Sequence, residues 1–160
     1  MKKALSNLKK TPKRYRIVAV SGGFDPVHIG HVRMFEEARK LGDELVVILN
    51  NDNWLRLKKG FVFMPEDDRK EIIEAFQSVD RVIITSHKKN TTDISVCHEI
   101  KSLKPNIFAN GGDRKDDNIP EYALCESLGI EMAFNVGHGG KVRSSSEFVK
   151  KQIQNKKLSK

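Results

Sequence analysis

Two cysteines, Cys97 and Cys125, are all the chain carries, and neither stands in a C-x-x-C pair or a disulfide framework. That scarcity argues against a disulfide-stapled secreted scaffold and against a closed zinc site, which needs four ligands at short spacings. No apolar run approaches the ~20 residues that cross a bilayer, and the basic N-terminal stretch has no apolar signal core behind it. A soluble, cytoplasmic protein without a membrane partner is the expectation. No internal repeat is present. Acid is missing from both ends: residues 1–16 hold seven Lys or Arg and no Asp or Glu, and residues 148–160 hold five Lys and no acid. The formal net charge of +8 therefore belongs to the ends, because the stretch between them carries 17 basic against 21 acidic residues. An acidic centre makes nucleic acid an unlikely partner for the domain itself.

The 160 residues suffice for one domain with a substantial core. We read 1–14 as a flexible basic tail, 15–150 as the domain, and 151–160 as a basic C-terminal tail or helix end.

What is present is concentrated in residues 15–42. The β-branched run Ile17, Val18, Val20 breaks at Gly22-Gly23, passes Pro26, and opens into Val32, Phe35, Ala38 and Leu41 at helical spacing. This reads as strand, glycine turn, helix. A helix beginning near Ile29 presents unpaired N–H groups and partial positive charge at its mouth, a favourable seat for phosphate. His28 and His31, three residues apart, can both face one anion there. Gly22 and Gly23 let a phosphate chain approach the backbone.

Gly22-Gly23-Phe24-Asp25-Pro26-Val27-His28-Ile29-Gly30-His31 resembles the G-x-F-D-x-x-H-x-G-H signature of the cytidylyltransferase-like nucleotidyltransferases. The resemblance extends over about residues 16–150. It is greatest to the compact members, the glycerol-3-phosphate cytidylyltransferases and the heptose 1-phosphate adenylyltransferases.

The remaining chain alternates strands and helices. Strands are read at Glu44–Asn50, Arg81–Ile84, Asn106–Ala109 and Ile130–Phe134, and helices after Pro65, over Asp93–Leu103, over Pro120–Leu128 and from Ser144 onward. The segment Trp54 to Phe63 reads as irregular. Such alternation implies an α/β, doubly wound parallel sheet with helices on both faces and ligands beyond the carboxyl ends of the strands. The resemblance adds a Rossmann-like fold of five strands in the order 3-2-1-4-5.

It also implies roles. His28, His31 and Lys58 would be catalytic, at the α/β-phosphates. Gly22, Gly23, Phe24, Asp25, Gly30, Gly111, Gly112, Asp113, Arg143, Ser144, Ser145 and Ser146 would bind the nucleotide. Lys59, Arg69 and Arg114 would hold substrate phosphate or serve the structure, with Arg69 evenly split between phosphate and scaffold, and Lys58 preferred over Lys59. Arg114 stands where relatives often carry an aromatic residue. No protein metal site is expected, Mg²⁺ being carried by the triphosphate, and a homodimer is expected by analogy. Gly140-Lys141-Val142 is not a phosphate-binding P-loop, since Ser or Thr is missing after the lysine. The reaction implied joins CTP or ATP to a phosphorylated small molecule, a sugar or polyol phosphate by preference, releasing pyrophosphate. The alternative is an inactive nucleotide- or RNA-binding module of the same fold.

Overall fold

The computed structural model describes residues 14–112, 114, 119–137 and 143–158, with side chains to 155 in the last helix. Five strands form one parallel sheet in the order β3-β2-β1-β4-β5: β1 (Ile17–Gly22), β2 (Glu44–Leu49), β3 (Arg81–Ile84), β4 (Ile107–Gly111) and β5 (Glu131–Val136). Six helices connect or follow them: α1 (Ile29–Arg39), α2 (Asp52–Lys59), α3 (Glu66–Glu74), α4 (Cys97–Leu103), α5 (Tyr122–Leu128) and α6 (Ser145–Leu158). Among the described residues no helix is long and apolar enough to cross a membrane.

The sheet is covered on both sides because its strands are apolar at both parities. Val18, Val20, Leu45, Val47, Leu49, Ile107 and Ala109 face one core with Phe35, Ala38 and Ile73 of α1 and α3. Ala19, Ile48 and Phe108, one residue out of phase, face the other with Ile100 of α4 and Cys125 of α5. After β3 the chain returns to the far side of β1, so β1 pairs with both β2 and β4. Strand order reverses there, and the crevice at the carboxyl ends of β1 and β4 is open to a ligand.

Two boundaries differ from the sequence reading. The stretch read as irregular begins with α2: the Asn51 side chain accepts from the Trp54 N–H, and Gly60 closes the helix in the left-handed region at φ 83°. Asn51, just after β2, is thus a helix start. α4 begins four residues later than expected, because Asp93 holds a turn of its own, its Oδ1 accepting the Ser95 N–H at 2.9 Å. α6 runs to Leu158, so residues 151–158 continue the helix read from Ser144 onward.

Candidate active site

The first loop is built by its own side chains. His28 caps α1 from an extended backbone, its Nδ1 accepting the Gly30 N–H at 3.1 Å, while Nδ1 of His31 accepts the His28 N–H at 3.2 Å. Two imidazoles here do the work that Ser and Glu do in a common capping box. The rings stack with centroids 3.7 Å apart and 22° between planes. Gly30 leaves room beneath them, since a Cβ there would lie 3.0 Å from the His28 ring and press on it. With both Nδ1 atoms accepting, each neutral ring must carry its proton on Nε2. Neither Nε2 has a hydrogen-bond partner among the described residues, so two N–H donors remain for a ligand.

The electrostatics keep both rings neutral. Burial lowers the His28 pKa from its ordinary value, and the nearby Arg143 and Lys59 charges push it further. His31 is pushed down to about 3, by burial first and then by His28 and Lys59. The pair is therefore a set of uncharged donors beside cations, ready for an anion without a proton to lose.

Phe24 forms the floor. It sits at φ 47°, a left-handed conformation that costs a phenylalanine about 1–2 kcal/mol. Its buried ring meets His31 edge-on at 4.9 Å and Phe35 at 5.1 Å. Expected to bind nucleotide, it lines the cavity described below and also props the His31 ring, a supporting role the sequence did not suggest. Asp25 also differs from expectation: its buried carboxylate accepts the Phe63 N–H at 2.8 Å and the Met64 N–H at 2.7 Å, so it holds the loop before α3.

Arg69 is resolved in favour of scaffold. Its guanidinium has no solvent exposure and donates to Met64 O (2.8 Å), Gly23 O (2.6 Å), Asn50 O (2.7 Å) and Asp52 Oδ1 (2.7 Å). Four of its five N–H donors are used inside the protein and the whole side chain is buried, which places the guanidinium out of reach of a phosphate in the cavity. Lys58, on the last turn of α2, is exposed, whereas Lys59 is partly buried and its Nζ donates to Asp25 O at 3.2 Å. Burial lowers the Lys59 pKa, Asp25 pulls it up and Arg69 pushes it down.

On the other flank, a cavity of about 220 Å³ runs from His28 and His31 to Gly111, Gly112, Arg114, Val136 and Arg143. Gly111 is needed in this wall: a Cβ would fall 2.6 Å from Met34 Sδ and 3.0 Å from Val136 O. Arg114 is exposed at its rim, and the Arg143 guanidinium lies 5.8 Å over the Phe148 ring. Ser145 Oγ donates to Pro26 O at 2.9 Å, tying the start of α6 to the histidine loop, while Ser144 and Ser146 flank it without lining the cavity. Asp113 and residues 138–142 lie outside the described residues. Arg33, Met34 and Asn110 also line the cavity and were not anticipated; the only signal was position, Arg33 and Met34 following His31 on α1. The described lining contains no carboxylate, and no cluster of three or more metal-ligating side chains occurs among the described residues.

Comparison with known proteins agrees with this geometry. A family model described as cytidylyltransferase-like matches residues 19–153. The FAD synthase of Pyrococcus horikoshii is 39% identical over 116 residues, covering 72% of this chain and 75% of the relative. The bifunctional protein HldE of Desulfatibacillum aliphaticivorans is 37% identical over 131 residues; the match covers 81% of this chain but only 25% of that longer protein. A crystal structure titled as a lipopolysaccharide core biosynthesis protein from Thermoplasma volcanium superposes with a TM-score of 0.63 at 25% identity, covering 78% of this chain and 99% of that one. The stacked histidines, the 3-2-1-4-5 sheet and these matches meet in one statement: the chain belongs to the cytidylyltransferase-like family of nucleotidyltransferases.

Proposed function

We propose that the protein transfers a nucleoside monophosphate from ATP or CTP to the phosphate of a small-molecule phosphate monoester, with release of pyrophosphate. An acceptor phosphate oxygen attacks the α-phosphorus and forms the new P–O bond; the bond to the bridging oxygen breaks, and its electron pair leaves with pyrophosphate. No enzyme nucleophile is needed, so the protein acts by positioning and by stabilising charge. The Nε2–H groups of His28 and His31 donate to the triphosphate oxygens as charge grows on them. Lys59 and Arg143 supply positive charge, both close enough to act on the His28 ring. The nucleoside lies along Gly111 and Arg114, over the carboxyl ends of β4 and β5, and the acceptor lies toward Lys59 and α2.

Magnesium belongs in this proposal as a counter-ion of the triphosphate. The described lining is cationic or neutral and contains no carboxylate, which suits a ligand that brings its own cation. The observation that carries the reading is the pair of stacked, neutral imidazoles whose Nδ1 atoms are committed to the backbone.

As acceptor, the sequence favours a sugar or polyol phosphate. The Pyrococcus relative is called FAD synthase, and FAD is a flavin phosphate joined to a nucleotide. Pyrophosphate release, measured with ATP and with CTP against glycerol 3-phosphate, a hexose 1-phosphate and riboflavin 5′-phosphate, tests the reaction. Release with at least one pair is expected, and nucleotide binding without release under any pair would refute it.

A further inference from the structure

On the Lys59 side of the histidines lies a second cavity that the reaction as described does not use. It encloses about 250 Å³ between Pro26, Phe63 and the α6 residues Phe148, Val149, Gln152 and Ile153. Gln152 alone among these is polar. Phe63 is 60% exposed, Phe148 38% and Ile153 51%, so a contiguous apolar surface stands open to water. Scattered exposed apolar residues need no explanation, but an aromatic-lined concavity does.

Its walls are fixed to the catalytic loop. Pro26 O accepts from Ser145 Oγ, which sets α6 on one side, and the Asp25 carboxylate holds the Phe63 and Met64 N–H groups, which sets Phe63 on the other. One end of the cavity meets the cations. The Phe148 ring lies 5.9 Å from the His28 ring and 5.8 Å from the Arg143 guanidinium, and Lys59 Nζ bonds the carbonyl of Asp25, the residue preceding Pro26. The combination is an anion site opening onto a wall of carbon.

We infer that this cavity holds the body of the acceptor, and that the acceptor is a phosphate monoester carrying a flat aromatic ring system rather than a small polyol phosphate without a ring. The inference rests on the proposed nucleotidyl transfer for its second substrate. A small polyol placed here would lose water from its hydroxyls against a lining in which Gln152 alone can hydrogen-bond, whereas a planar aromatic ring can pack against the Phe63 and Phe148 side chains. Its phosphate then reaches toward Lys59 and His28, on the flank opposite the nucleoside.

Riboflavin 5′-phosphate is a suitable probe, because its own fluorescence reports binding without turnover. The experiment titrates it into the full chain and into Phe63→Ser and Ile153→Ser variants, with affinity for a non-hydrolysable ATP analogue as the control for folding. Quenching by the parent protein is expected, with weakening of about tenfold in each variant, while the affinity for the ATP analogue stays the same. The same preference in turnover, with KM for riboflavin 5′-phosphate below that for glycerol 3-phosphate, would agree. If riboflavin 5′-phosphate binds and the variants weaken it but no pyrophosphate appears, the cavity assignment stands and the proposed reaction fails. If glycerol 3-phosphate is the better acceptor and neither substitution affects riboflavin 5′-phosphate, the inference is overturned and the reaction stands. A dimer that Phe63→Ser or Ile153→Ser converts to monomer, with flavin binding unaffected, would also overturn it, the cavity then being a contact between copies.

Discussion

Replacing Arg69 by Met keeps most of the side-chain volume and removes every donor, so it isolates what the buried guanidinium holds together. Three backbone carbonyls lose their partner, Asn50 in a buried bond and Gly23 and Met64 in part-buried ones, so each costs about 1–2 kcal/mol, the lower part of the range for an unpaired acceptor. Asp52 also loses its ion pair at 2.7 Å, but its side chain is 20% exposed and water recovers part of that energy. The sum is about 3–6 kcal/mol, comparable with the whole stability of an ordinary domain. Arg69→Lys keeps the charge but can reach one or two of the four acceptors, so it falls about midway. Urea unfolding followed by circular dichroism measures both variants, with unchanged m-values showing that the midpoint shift is stability. A loss under about 1 kcal/mol in Arg69→Met, together with collapse of triphosphate affinity, would refute the scaffold role and return Arg69 to the phosphates.

Other outcomes follow from the same contacts. Lys59→Ala is expected to lower kcat/KM by roughly a hundredfold through loss of a partly desolvated charge beside the histidines, and Lys58→Ala by less than about twofold; steady-state pyrophosphate assays check both. Because the folded His31 pKa is about 3 against an ordinary 6.5, the unfolded chain binds a proton first as pH falls below 6.5. Stability therefore drops through that window, by about 2 kcal/mol from this residue at pH 5, and the drop is missing from the urea midpoints of His31→Gln. Asp25→Ala frees the Phe63 and Met64 N–H groups, at a cost of about 2–4 kcal/mol by the same assay, and Asp25→Asn, which keeps one acceptor, loses about half as much.

The sheet could be read from the sequence because its strands are buried on both faces. Runs such as Leu45 to Leu49 need no periodicity to declare themselves, and glycines or helix signals follow each. The histidine loop was legible for a different reason: its chemistry is local, within ten residues, and cap and ligand share the same side chains. α2 was not legible. Its only fully buried side chain is Leu55, and its other residues are mostly polar, so hydrophobic patterning gave almost no signal. Which of Lys58 and Lys59 is the more buried was not legible either, since neighbours on a helix differ by 100° in direction and the loop reading supplied no phase. Arg69 illustrates a further limit. Its partners at Gly23 and Asn50 lie 46 and 19 residues away, and a long side chain gives no hint of where it ends. Asn51 before Trp54, and Gly60 after Lys59, were the cap signals that would have located α2.

The account depends on what His28 and His31 hold. A crystal of the protein with a non-hydrolysable nucleoside triphosphate measures it directly: triphosphate oxygens within hydrogen-bond distance, about 2.7–3.2 Å, of both Nε2 atoms are predicted, with the nucleoside along Gly111. Phosphates seated elsewhere, with both imidazoles still turned to water, would contradict it.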